Sequence, residues 1–194
     1  MRTILSILFI ALLFSGCQDK KSINREHQHS DNNMKQAEPV KKNVLSPHSS
    51  AMAMLGDAHI HIDYSSPGVR DRIIFGGLLA YDQVWQSGAH KATWIESNKD
   101  LSIDGKLLPA GKYGLFTIPS KNEWTIIINS NWNQHGKDEY DENDDVIRFK
   151  VTPLISENIK EQLEYEVNKV SEGEGTISLA WEKVAISFNF MVNH

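Results

Sequence analysis

Cysteine is almost missing from this chain: Cys17 is the single one among 194 residues. Without a second thiol no intrachain disulfide can form, so the fold must be held by a hydrophobic core rather than covalent staples. Long apolar runs are missing too. The longest, residues 4–14, covers eleven positions, too few to span a bilayer. A basic surplus is absent. The chain carries 20 Lys and Arg against 25 Asp and Glu, and an acidic protein lacks the positive face that nucleic acid phosphates demand. Catalytic signatures are missing as well: there is no Gly-x-Ser-x-Gly elbow, no phosphate loop and no His-Glu-x-x-His pair. These gaps lean the reading away from catalysis and away from nucleic acid as a partner.

What is present begins at the N-terminus. Arg2, the apolar run and the small pair Ser15-Gly16 before Cys17 have the layout of a secretory signal. Ser15-Gly16-Cys17 resembles the lipobox of bacterial lipoproteins. That resemblance implies cleavage after residue 16, lipid on Cys17, and a membrane partner reached through the anchor. Residues 18–45 are polar, with six basic and four acidic side chains, and are expected to form a flexible linker, either solvated or resting on anionic lipid. From Ser46 onward, 13 of the basic and 21 of the acidic residues remain, a net charge of −8 in 149 residues. That length suits one domain. The expected organisation is therefore a signal (1–16), a lipidated Cys and linker (17–45), and one domain (46–194). Gln18-Asp19-Lys20-Lys21 is less acidic than surface-export signals, which favours the periplasmic side of the cell envelope.

The domain alternates with a period of two. Ile60, Ile62 and Tyr64 share one face, as do Leu163, Tyr165 and Val167. So do Ile177, Leu179 and Trp181, then Val184, Ile186, Phe188, Phe190 and Val192. Further strands are expected at 93–96, 113–118, 124–128 and 146–151. Asp104-Gly105 between two short apolar runs predicts a tight hairpin. Residues 69–79 and 155–162 read as short helices. The pattern predicts an all-β fold, an antiparallel sandwich or jelly-roll-like arrangement with one or two short helices.

An ordered series of motifs follows: Ser46-Pro47-His48, Ile62-Asp63-Tyr64-Ser65-Ser66-Pro67, Trp85-Gln86-Ser87-Gly88-Ala89-His90, Leu108-Pro109-Ala110-Gly111-Lys112-Tyr113-Gly114, and Asp145-Val146-Ile147-Arg148. This series resembles the bacterial family called domain of unknown function 2911, common in exported proteins of Bacteroidetes. The chain departs from that family's pattern in two places. Gln86-Ser87-Gly88-Ala89-His90 stands where Arg-Thr-Gly-Ala-Asn is usual, and His135-Gly136 stands for a Trp-Gly pair.

Several residues are candidates for chemistry. His59, His61 and Asp63 fall at every second position of a strand, so they share a face and offer ligands to a divalent metal. The alternative is the polar side of a half-buried strand. The acidic stretch 138–145 starts like a calcium loop, but Val146 and Thr152 stand where an EF-hand needs Gly and Glu. Trp94, Trp124 and Trp181 are expected in the core, and Trp132 as an exposed platform. Arg72, Trp85, Ser87, His90 and Tyr113 are the residues that core packing explains least. Together they suit a small polar or anionic ligand: Arg72 for charge, Trp85 for stacking, Ser87 and His90 for hydrogen bonds. The alternative is that Arg72 pairs with a carboxylate such as Asp145 and closes the fold. Two functional classes stay open, a non-catalytic module binding a small molecule or protein, and a metal-dependent enzyme built on His59 and His61.

Overall fold

Alternation in the sequence becomes alternation of faces in the computed structural model, which describes residues 44–193. In β2 (Ala58–Ser65), Ile60, Ile62 and Tyr64 are buried while His59, His61 and Asp63 face outward. Around it run β1 (His48–Leu55), β3 (Trp94–Ser97), β4 (Leu101–Ile103), β5 (Lys106–Leu108), β6 (Gly111–Ile118), β7 (Trp124–Asn129), β8 (Asp145–Val151), β9 (Leu154–Lys169) and β10 (Glu174–Val192). Two sheets form, β1-β2-β3-β6-β7-β8 and β5-β4-β10-β9, antiparallel throughout. Their inner faces enclose one main core in which Trp124, Trp181, Phe190 and Ile126 are fully buried. The fold is therefore an all-β antiparallel sandwich. The signal, Cys17 and nearly all of the linker lie outside the described residues.

Asp104 and Gly105 sit at φ 52° and 71°, the left-handed pair that a two-residue hairpin turn requires. β10 is a single strand where the pattern suggested two. Its buried set runs through Ile177, Leu179 and Trp181, then shifts by one residue to Ile186, Phe188 and Phe190. The shift occurs at Glu182, where the register to β9 is irregular and φ is 56°. One extra residue in a strand flips the face of everything beyond it.

The expected helices do not form. Among the described residues the one helical segment is a single 3-10 turn, Glu142–Asp144, capped by the Asp141 side chain. Residues 155–162 belong to β9: the Ile155 and Ile159 spacing looked helical, but backbone pairing with β10 overrides it, and both side chains stay exposed. Residues 69–79 form a folded loop, because Arg70 and Asp71 take positive φ and Leu78 and Leu79 turn back to donate to the Ile73 and Ile74 carbonyls.

Candidate functional site: a basic cleft over paired tryptophans

Two loops meet at one end of the sandwich. The first, residues 67–79, is anchored when Val69 N–H donates to the Glu161 carbonyl at 2.8 Å and Arg70 N–H to the Glu161 carboxylate at 3.0 Å. Within it, Arg72 donates from Nε to the Val69 carbonyl at 3.0 Å and from Nη2 to the Gly68 carbonyl at 2.6 Å. Arg72 therefore does not pair with Asp145. That carboxylate instead accepts from Arg148 at 2.7 Å, Tyr140 at 2.9 Å and Asn129 at 2.8 Å. The acidic stretch thus caps a turn and closes an edge, and no group of three or more His, Cys, Asp or Glu among the described residues is placed to hold a metal.

The second loop, residues 85–90, is locked from inside. Trp85 Nε1–H donates to the Gly88 carbonyl at 3.0 Å, Thr93 Oγ1–H to the Ser87 carbonyl at 3.0 Å, and Tyr165 O–H to the same Ser87 carbonyl at 2.9 Å. Ser87 Oγ bonds Thr117 Oγ1 at 3.0 Å. Gly88 has no substitute here, since a Cβ would lie 2.7 Å from Thr93 Oγ1 and 3.2 Å from the Ser65 carbonyl. Gly136 N–H donates to the His90 carbonyl at 2.8 Å, so the two segments where the chain departs from the family pattern touch each other.

Between the loops opens a cleft of about 300 Å³. Arg70, Arg72 and His90 stand on its walls, and Trp85 and Trp181 line it, stacked with ring centroids 5.8 Å apart and 24° between planes. Asp71 lies within this loop between the two arginines, and the Glu161 and Glu182 carboxylates accept from the backbone N–H of Arg70 and Ile74. Among the described residues, the guanidinium of Arg70 and the imidazole of His90 have no partner. Arg72 keeps donors beyond the two it spends on carbonyls. Trp181 Nε1–H is buried with no acceptor, a state that costs about 1–3 kcal/mol unless something supplies one. Backbone strain gathers at the same place: Arg70, Asp71, Ser87, His90 and Glu182 all have φ between 50° and 62°. Each such residue stores of order 1–3 kcal/mol, and such outliers concentrate at ligand sites.

The sequence candidates therefore divide. Arg72, Trp85 and His90 come together in the cleft. Ser87 is buried and serves the loop. Tyr113 lies away from the cleft on β6, half-buried, its hydroxyl donating to the Pro109 carbonyl at 3.1 Å. Arg70 and Trp181 were not anticipated; the basic pair flanking Asp71 was the available signal for the first. His59 and His61 do lie side by side, ring centroids 5.9 Å apart, but Asp63 is taken by His48 Nε2 at 2.6 Å. Trp94 is not core. It sits half-buried on the outer face with Lys112 Nζ 3.8 Å above its ring, and the same ammonium lies 4.7 Å from the half-buried Trp132.

Two tyrosines, Tyr165 under the second loop and Tyr140 beside Asp145, make the fold alkali-sensitive. Burial, then the bond and charge of Asp145, push Tyr140 up to about 12, and burial raises Tyr165 strongly. In the unfolded chain both ionise near 10. Below that pH neither state releases the proton and stability is level. As pH rises past about 10 the unfolded chain loses protons that the native state keeps, and stability falls. Thermal melts from about pH 8 to about pH 11 should show a decline beginning near 10, shallower in Tyr165→Phe. A flat profile would mean these hydroxyls are solvated.

No curated protein and no solved structure matches the chain. One family does, and its match begins at Ser46, on the rim of the cleft, and runs through both loops and both sheets: over residues 46–190 the chain belongs to the family described as "Protein of unknown function (DUF2911)".

Proposed function

We propose that this protein is an exported lipoprotein of the bacterial cell envelope, Bacteroidetes in type, facing the periplasm and tethered through Cys17. Its β-sandwich acts as a non-catalytic module that holds a small anionic ligand bearing a carboxylate or phosphate. The observation that carries the binding role is the cleft itself: Arg70, Arg72 and His90 line it together with the stacked Trp85 and Trp181, in a domain whose net charge is otherwise acidic. Guanidinium donors suit planar or tetrahedral oxyanions. An acceptor reaching the orphaned Trp181 N–H would add a bond the free protein lacks. The signal-like N-terminus and the lone Cys17 support the tether.

Inorganic phosphate and citrate are suitable first probes, read by the rise in melting temperature that ligand binding to the native state produces. Wild-type protein is expected to gain stability with at least one of them. Arg70→Ala and His90→Ala should melt like wild type without ligand, because neither side chain has a partner, yet lose the gain. Arg72→Ala should lose the gain and also melt lower, since its guanidinium ties down two loop carbonyls. An equal gain in wild type, Arg70→Ala and His90→Ala would remove the cleft as the binding site.

A further inference from the structure

The outer face of the β1–β2 hairpin carries a second constellation, unrelated to the cleft. In the antiparallel register Met52 lies opposite His61 and Met54 opposite His59. Ala51 and Ala53 pack toward the core and Ile60 and Ile62 are buried, so both methionines and both histidines project from the opposite side. Side chains directly opposite on neighbouring strands have Cβ atoms about 4.5–5.5 Å apart, and the two imidazoles are 5.9 Å apart. The result is a two-by-two block of thioethers and imidazoles.

Three features say this block is more than strand surface. The methionines are 58% and 53% exposed, although methionine ordinarily fills core gaps. They lie on β1, an edge strand, where natural sheets favour charge over exposed apolar side chains. Neither imidazole has a hydrogen-bond partner among the described residues, and each contacts rings instead: His59 the ring of His61, and His61 the edge of Trp94 at 5.0 Å. The nearby carboxylates are already engaged, Asp63 by His48 at 2.6 Å and Glu96 by Lys112 at 3.4 Å. Hard oxygen ligands are thereby withdrawn and soft ones left.

We infer that Met52, Met54, His59 and His61 form a binding site for a soft monovalent cation, copper(I) or its redox-inert substitute silver(I). Thioether sulfur selects such ions, and imidazole accommodates them. Zinc and calcium, which prefer thiolate, imidazole and carboxylate or all-oxygen sets, fit this block less well. The flexible methionine stems allow both sulfurs to close on one ion without moving the strands. Trp94, edge-on to His61, places an indole where its emission reports on the site.

Silver(I) titration of the full chain, followed by tryptophan fluorescence and by metal content after gel filtration, tests the assignment. Wild type is expected to bind one ion at this block. Outer-shell losses alone cost 10–100-fold in metal affinity, so removing both sulfurs in Met52→Leu/Met54→Leu should weaken silver(I) by more than about 100-fold at this site. His59→Ala/His61→Ala should do the same, and because all four side chains are partly solvent-facing, circular dichroism and melting of both variants should match wild type. Copper(I) under anaerobic conditions should follow silver(I), and zinc should bind far more weakly than either. The assignment is overturned if the methionine variant binds silver(I) as wild type does, which would place the ion elsewhere, such as at His27 and His29. It is equally overturned if wild type retains no ion or if zinc competes on equal terms.

Discussion

Phe188→Ala is expected to lower the unfolding free energy by about 3–5 kcal/mol, the usual cost of emptying an aromatic site in a packed core. Phe188 lies on the inner face of β10, 9% exposed, and meets Phe149 of the facing sheet edge-on with centroids 5.2 Å apart. The truncation removes apolar contact and an aromatic pair, and leaves a cavity between sheets that backbone pairing keeps from collapsing. With no disulfide to offset the loss, a deficit of this size takes up much of the stability of a typical domain. Denaturant titration measures it. A change below about 1 kcal/mol would mean that the β10 face assigned to the interior is in contact with water.

The second large effect concerns location. Cys17→Ser is expected to shift the protein from the membrane pellet to the soluble fraction, because a tether of two or more acyl chains anchors stably while none remains without the thiol. Each buried methylene contributes about 0.8 kcal/mol, so the change is nearly all-or-none rather than graded. Fractionation followed by immunodetection reads it directly. Wild-type and mutant protein found together in the same fraction would end the lipoprotein reading.

The interior was the legible part of this chain, and physics explains why. Ile60, Ile62, Tyr64, Leu163, Tyr165, Ile177 and Phe188 announced their faces because a half-buried strand must alternate. β1 gave no such signal: its inward residues, Ala51 and Ala53, are small, and its outward ones include Met52 and Met54. The larger apolar side chains of its middle therefore point outward, and the alternation of hydrophobicity is lost. Residues 155–162 misled because Ile155 and Ile159 happen to fall four apart, and the pairing that decides their conformation, with Glu182 to Ala185 of the next strand, lies outside the window in which such a spacing is read. The irregularity at Glu182 has no mark in its residue type.

The cleft was legible in proportion to how poorly its residues suit a core. Arg72, Trp85 and His90 stood out for that reason. Ser87 and Tyr113 stood out equally and belong elsewhere, because a hydroxyl that braces a loop reads the same in sequence as one that binds a ligand. Trp181 was legible only as packing. Its orphaned N–H becomes apparent once the neighbours of Nε1 are known.

β10 closes the second sheet by lying between β4 and β9, pairing Phe190 with Ile103 and Val192 with Leu101 across nearly ninety residues of chain. Contacts of such long sequence separation make folding slow, since loop entropy is lost before the pairing repays it. A chain emerging from its N-terminal end can pair β1 with β2 and β6 with β7 early. The hairpin of β4 and β5 can close locally, but its sheet neighbour β10 follows every other described strand in the chain. Until β10 arrives the inner face of the first sheet stays uncovered. The interval before residue 192 emerges is accordingly when this protein is most exposed to aggregation and proteolysis.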